Sequence, residues 1–230
     1  EQLTTDVLPN LQYVFESIKL TKAALNNRVP LIGFAGAPWT IFSYMIEGKG
    51  SKTFSEAKKM LYVNPVLSHL LLDKITQSTI SYLKEQIRNG ADIVQVFDSW
   101  AGVLSKAQYI EFALPYMKKI TDAITEVPVI LFAKDAHYII EEFAQTNCSV
   151  IGLDWTIEPQ KARSEAPNKT LQGNLDPCVL YADKEMIKAE AEKMLRAFGK
   201  QNYICNLGHG VYPDVDFEKA KYFIDVVQNF

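Results

Sequence analysis

One phrase recurs six times along this chain: a short β-branched or apolar run, a loop carrying Gly, Asp or Ser, and then a segment of helical period. The runs are Leu31 to Ala35, Ile93 to Phe97, Val129 to Ala133, Val150 to Leu153, Thr170 to Gln172 and Tyr203 to Asn206. Strands that alternate with helices run parallel, because a parallel neighbour needs a crossover of a dozen or more residues. Runs apolar nearly throughout suit strands covered on both faces. The fold class is α/β.

Two architectures use such units. An open doubly wound sheet takes six strands comfortably, whereas a (β/α)8 barrel closes only with eight. The open sheet would carry G-x-G-x-x-G in its first turn to hold a pyrophosphate. Here that turn reads Gly36-Ala37-Pro38-Trp39-Thr40, in which Pro38 and Trp39 obstruct a phosphate. The segment Asp6 to Leu25 is helical in character, so the chain opens on a helix that would normally follow a strand. The expectation is a TIM-type (β/α)8 barrel with its last six βα units present. The first residue is Glu1 rather than Met, which points to processing or to a longer protein.

No linker, low-complexity tract or charge block interrupts residues 1–230, so a single domain is expected. Hydrophobic residues at 48% and charged residues at 22% exclude disordered, collagen-like and disulfide-scaffold classes. A net charge of -3 provides no overall basic field, which sets aside nucleic acid and anionic membranes as partners. Cys148, Cys178 and Cys205 form no C-x-x-C or H-x-C pattern, as in a reduced, cytoplasmic protein. No stretch approaches a membrane span, and EQLTTDVLPN has no signal-peptide pattern.

Local punctuation marks the helices. Asn64-Pro65 and Asp176-Pro177 place a capping residue before Pro at the first helical position. Thr53-x-x-Glu56 and Ser105-x-x-Gln108 read as capping boxes, and Gly90 and Gly199 as stops. On the longest segment Val66, Leu70, Ile75, Ile80, Leu83 and Ile87 keep an approximately helical spacing.

Sites in parallel α/β folds form at the carboxyl ends of the strands. Those positions carry Gly36 to Tyr44, Asp98 to Gly102, Lys134 to His137, Asp154 to Thr156, Gly173 to Pro177 and Gly208 to Gly210. At these ends the chain resembles a known family. GFAGAPWTIFSYMIEG, from Gly33 to Gly48, is similar to the signature of the uroporphyrinogen decarboxylases. FDSWAG (Phe97 to Gly102), FAKD (Phe132 to Asp135), GLDWT (Gly152 to Thr156) with LQGNLDP (Leu171 to Pro177), and NLGHGVYPD (Asn206 to Asp214) follow in collinear order.

The resemblance implies a barrel enzyme, commonly a homodimer, that removes the four acetate carboxylates of uroporphyrinogen III to give coproporphyrinogen III in haem and tetrapyrrole synthesis. No cofactor or metal is implied, because the protonated pyrrole acts as its own electron sink. The resemblance places Tyr44 and Ser99 on substrate carboxylates, His209 near the reacting ring, and Phe34 and Phe97 along an apolar wall. The family's P-x-W-x-M-R-Q-A-G-R signature, its arginine pair and its cation-stabilising Asp have no counterpart. No catalytic residue is therefore assigned. Arg28, Arg88, Arg163 and Arg196 all lie away from the strand ends.

Each candidate also has a plainer reading. Tyr44 fits a core tyrosine, Ser99 a turn residue, and His209 a solvated loop histidine. Asp98, Asp154 and Asp176 fit loop and cap roles, Asp135 a helix cap, Lys134 a salt bridge, and His69 packing. Trp39, Trp100 and Trp155 fit packing as well. Within the same superfamily, a zinc-dependent methyltransferase acting on cobalamin or a thiol wants His-x-Cys near one strand end and a further Cys near another. Here the stretch is Lys134-Asp135-Ala136-His137, and Cys205 is expected inside a strand. The other rival is a non-catalytic folded fragment.

Overall fold

The computed structural model describes residues 3–230; Glu1 and Gln2, with the expectation attached to the first residue, lie outside them. The chain divides into two compact units, Glu1–Ser149 and Val150–Phe230. In the first, α1 (Gln12–Leu25) leads into β1 (Ile32–Gly36), α2 (Pro38–Glu47), α3 (Ser55–Val63) and α4 (Pro65–Arg88). Then come β2 (Ile93–Asp98), α5 (Lys106–Phe112), α6 (Leu114–Ala123), β3 (Val129–Ala133) and α7 (Ile140–Ala144). The second unit holds β4 (Val150–Gly152), α8 (Pro159–Glu165), β5 (Thr170–Leu175), α9 (Lys184–Phe198), β6 (Tyr203–Leu207) and α10 (Phe217–Gln228).

Pairing within each unit is parallel. Ile32 stands opposite Ile93, Gly36 opposite Phe97, and Phe97 opposite Phe132. In the second unit Gly152 stands opposite Gln172 and Leu175 opposite Leu207. All six expected runs are strands, so the α/β class holds. The run at Thr170 continues to Leu175, past Gly173 and Asn174, two poor strand formers. Gly173 is suited to that place because a Cβ there would stand 2.5 Å from the Leu153 carbonyl oxygen.

The first unit's core lies between its strands and helices. Val94, Val96 and Leu131 are fully buried, as are Leu72, Leu83, Met117 and Ile120 on the helices. Each such side chain contributes about 1.5–3 kcal/mol of burial. The helical spacing along α4 holds, but it does not decide burial at the helix start. Ile75 and Leu83 are buried, but Val66 is 70% and Leu70 59% exposed, while Ser68, Thr76, Thr79 and Gln86 take buried places. Ser68 Oγ donates to Asn64 O at 3.0 Å and Thr76 Oγ1 to Leu72 O at 2.7 Å, which allows these polar side chains to be buried.

Most helix signals act as expected. Asn64 Oδ1 accepts from Leu67 N–H ahead of Pro65, and Ser105 and Gln108 form a reciprocal capping box. Gly199 ends α9, and Gly90 follows the final residue of α4's cap at φ 114°. Asp176 caps only a short 3-10 turn, Pro177–Tyr181, and α9 starts from Asp183. The Thr53 capping box is corrected. Glu47 Oε2, from the end of α2, accepts from the backbone N–H groups of Glu56 and Ala57 at 3.2 and 3.4 Å. A carboxylate is the stronger acceptor at a helix start. Among the described residues no helix is long and apolar enough to cross a membrane.

Candidate functional site

Successive residues of a strand face opposite ways. On β2 that alternation sends Asp98 toward the helices, where it meets Thr40 and Tyr109, and sends Phe97 to the other face. There Phe97 packs edge-on against Phe34 at 5.9 Å and against Phe132 at 5.7 Å. The three rings form one wall across β1, β2 and β3. Phe34 is 61% exposed and Phe132 buried. Phe34 and Phe97 were expected in such a wall; Phe132 was not, although its position opposite Phe97 follows once the register is known.

Tyr44 is positioned from the start of α2. Ala37 N–H donates to Phe97 O at 2.8 Å, Pro38 opens the helix, and Trp39 is fully buried, its Nε1 donating to Trp100 O at 3.0 Å. A turn later Tyr44 stands edge-on to Trp100 at 6.1 Å and to Phe54 at 5.9 Å. It is 44% exposed rather than core. Ser99 follows β2 directly and is half-buried. Among the described residues, neither hydroxyl makes a hydrogen bond to protein. Two unengaged donors on the segments that follow β1 and β2, the strands that carry Phe34 and Phe97, suit the carboxylates of an otherwise apolar ligand.

The loops behind Ser99 are held by backbone contacts. Gly102 N–H donates to Lys134 O and Lys134 N–H to Asp98 O, each at 3.0 Å. A Cβ on Gly102 would lie 2.5 Å from the Cβ of Asp135. Asp135 is not the helix cap expected of it. It sits at φ 55° and pairs with Lys134, and the short turn beginning at His137 has no side-chain cap. The adjacent cation holds the carboxylate better than exposed amides would.

Asp98 is fully buried, and its pKa is pushed up to about 6 by burial, against the pull of hydrogen bonds from Thr40, Tyr109 and the Trp100 backbone. Burial also drives the Tyr109 phenol well above its ordinary range, with Asp98 adding to the effect. Asp98 therefore belongs to an interior network, a role its place at a strand end did not announce.

In the second unit His209 is exposed, just beyond β6. Gly208 before it donates to Leu175 O at 2.7 Å and approaches Trp155 so closely that a Cβ would stand 2.6 Å from its backbone nitrogen. The histidine thus sits on a fixed backbone. Asp154 caps its own turn through Thr156 N–H at 2.8 Å, and Cys205 lies within β6, as expected.

The arginines are occupied elsewhere. Arg163 donates to Lys169 O and Asn202 O, before the amino ends of β5 and β6. Arg88 and Arg196 pair with glutamates on their own helices, and Arg28 binds Leu25 O. His69 packs as expected, stacked on Phe112 at 4.7 Å with Nδ1 2.7 Å from Tyr116 Oη.

The family described as uroporphyrinogen decarboxylase (URO-D) matches residues 1–230. A uroporphyrinogen decarboxylase from Christiangramia forsetii is 47% identical over 230 residues, covering 99% of this chain and 67% of the relative. One from Danio rerio is 47% identical over 234 residues, 97% of this chain and 63% of the relative. The chain spans about two thirds of the length of these relatives. Among solved structures, a methyltransferase from Methanosarcina mazei superposes with a TM-score of 0.84 at 20% identity, over 94% of this chain and 64% of that one. A B12-independent methionine synthase from Shewanella sp. W3-18-1 gives 0.68 at 11% identity, over 93% and 64%. At such identities these two share the fold, and no function follows from them.

Proposed function

Because the chain belongs to the uroporphyrinogen decarboxylase family, we propose that it supplies the carboxylate-binding wall of an enzyme that converts uroporphyrinogen III to coproporphyrinogen III. The observation that carries this reading is that two unengaged hydroxyls, Tyr44 and Ser99, follow the strands β1 and β2, whose Phe34 and Phe97 pack with Phe132 into an apolar wall. The rings offer an apolar surface to the macrocycle, and the hydroxyls donate to its acetates. Decarboxylation of a pyrrole acetate needs the ring protonated at carbon, so that the electrons of the breaking C–CO₂ bond have somewhere to go. From the second unit, His209 is the residue we assign to a substrate carboxylate.

We take the two units to be parts of one barrel domain, the working protein to be a cytoplasmic homodimer, and the substrate to be a free tetrapyrrole. The 230 residues alone are expected to turn over slowly, because all four arginines are committed to backbone carbonyls or to glutamates of their own helices and none is aimed at a substrate anion. The test is coproporphyrinogen formation by this chain beside a version carrying the remaining third of the C. forsetii relative at its N-terminus. Equal rates would overturn the expectation of slow turnover; no product from the extended version would overturn the functional reading.

The methyltransferase alternative asks for thiolate and imidazole donors gathered around zinc. Among the described residues no three His, Cys, Asp or Glu side chains are so grouped.

A further inference from the structure

We propose that Asp98 is a positioning residue that sets Tyr44 and Ser99 relative to each other; its functional meaning rests on reading those two hydroxyls as substrate ligands. Asp98 immediately precedes Ser99, and Thr40 stands one helical turn before Tyr44 on α2. Thr40 Oγ1 donates to Asp98 Oδ1 at 2.7 Å. That bond ties the element bearing one hydroxyl to the element bearing the other. Tyr109 Oη, from α5, donates to Oδ2 at 2.9 Å and holds the carboxylate from the far side.

Trp100 closes the arrangement. Its N–H donates to Thr40 Oγ1 at 3.4 Å and its carbonyl accepts from Trp39 Nε1 at 3.0 Å. Its ring packs on Phe54 at 4.6 Å and meets the edge of Tyr44. The residues on both sides of Ser99 are therefore held from α2.

Stability alone does not account for a carboxylate here. Asp98 is fully buried, and the groups acting on it are Thr40 from α2, Tyr109 from α5 and the Trp100 backbone. None is a cation. A buried charge without a cation is costly, and an apolar side chain would fill the same space at less cost. What the carboxylate adds is two short, directional bonds with little slack, which apolar packing does not provide.

The test uses the 230-residue chain with 3-fluorotyrosine at position 44, read by fluorine NMR, and the same label at exposed Tyr13 as control. Thr40→Val is expected to broaden the position-44 line at least two-fold or to split it, leaving the Tyr13 line unchanged. Thr40→Ser, which keeps the hydroxyl, is expected to restore the single line. Asp98→Asn is expected to resemble Thr40→Val; should it not fold, the Thr40 pair still decides. An unchanged position-44 line in Thr40→Val, or failure of Thr40→Ser to restore it, would overturn the proposal. Tyr44→Phe in the extended enzyme separates the two readings. If turnover is indifferent to Tyr44→Phe while the fluorine line responds to Thr40→Val, the functional reading fails and the coupling stands.

Discussion

The side-chain amide of Gln86 makes both hydrogen bonds to the backbone of Phe34, Oε1 accepting from its N–H at 3.0 Å and Nε2 donating to its carbonyl at 2.8 Å. Leu31 O and Ala37 N–H turn toward β2. By alternation the groups of Phe34 turn to the opposite edge of β1. A residue from α4 thus satisfies there what a further strand would satisfy. Gly33 makes room for it, since a Cβ at that position would stand 2.5 Å from Gln86 Oε1.

Gln86→Leu is therefore expected to destabilise the chain by about 1–3 kcal/mol, the cost of leaving two backbone groups unpaired at a buried side chain. Urea denaturation measures the loss, and amide exchange should locate it at Phe34. A loss smaller than about 0.5 kcal/mol would mean that water replaces the glutamine.

Asp98 gives the chain a specific dependence on pH. Its pKa is raised to about 6 in the folded state by burial, while an unfolded Asp titrates near about 3.9. Between these values the folded state holds a proton that the unfolded state has lost, so this contribution is full below about pH 4 and is lost as pH rises through about 6. The span corresponds to about 3 kcal/mol. Asp98→Asn should remove that slope, so the stability of wild type relative to the variant should fall from pH 4.5 to 7. Parallel curves across that range, from denaturation midpoints, would contradict the assignment.

In the extended enzyme, Tyr44→Phe and His209→Asn are each expected to lower kcat/KM about ten-fold or more, as befits a hydrogen bond to a charged group. Ser99→Ala should behave alike. His69→Gln should leave turnover unchanged and cost about 1 kcal/mol of stability, because the histidine only stacks and bonds Tyr116. Equal effects of all four on turnover would show that Tyr44, Ser99 and His209 act through packing alone.

Gly102→Ala places a methyl group 2.5 Å from the Asp135 Cβ and 2.9 Å from its carbonyl oxygen. The loops after β2 and β3 would have to part, at about 1–3 kcal/mol. At Gly50 a Cβ meets nothing within 4 Å, and Gly50→Ala should stay within about 0.5 kcal/mol of wild type. Thermal or urea midpoints of the pair provide the comparison.

The strands were legible because each is an apolar run between polar turns, and Ser105-x-x-Gln108 was legible because a capping box is complete within four residues. Thr53 misled for the same reason in reverse. Its helix is capped from Glu47, nine and ten residues before its partners, beyond any local pattern. Val66 and Leu70 keep the helical spacing and yet stay exposed, because apolar spacing shows which face is greasy, not which face finds a neighbour. For the site, Tyr44, Ser99, His209, Phe34 and Phe97 came from motif resemblance. The part played by Asp98 came from Thr40, 58 residues away, and that of Gln86 from Phe34, 52 away. Neither separation leaves a mark in the sequence.

Glu47 is the last residue of α2 and its carboxylate caps the start of α3, so residues 48–53 form a loop whose two ends meet at a single side chain. Closing such a short loop costs little further entropy as residues are added. Ahead of Ser51, whose Oγ accepts from the Thr53 and Phe54 N–H groups, its length and charge are thus free to drift while Tyr44 before it and Phe54 after it keep their contact. That loop is where this scaffold can be retuned by insertion at least risk to the rest.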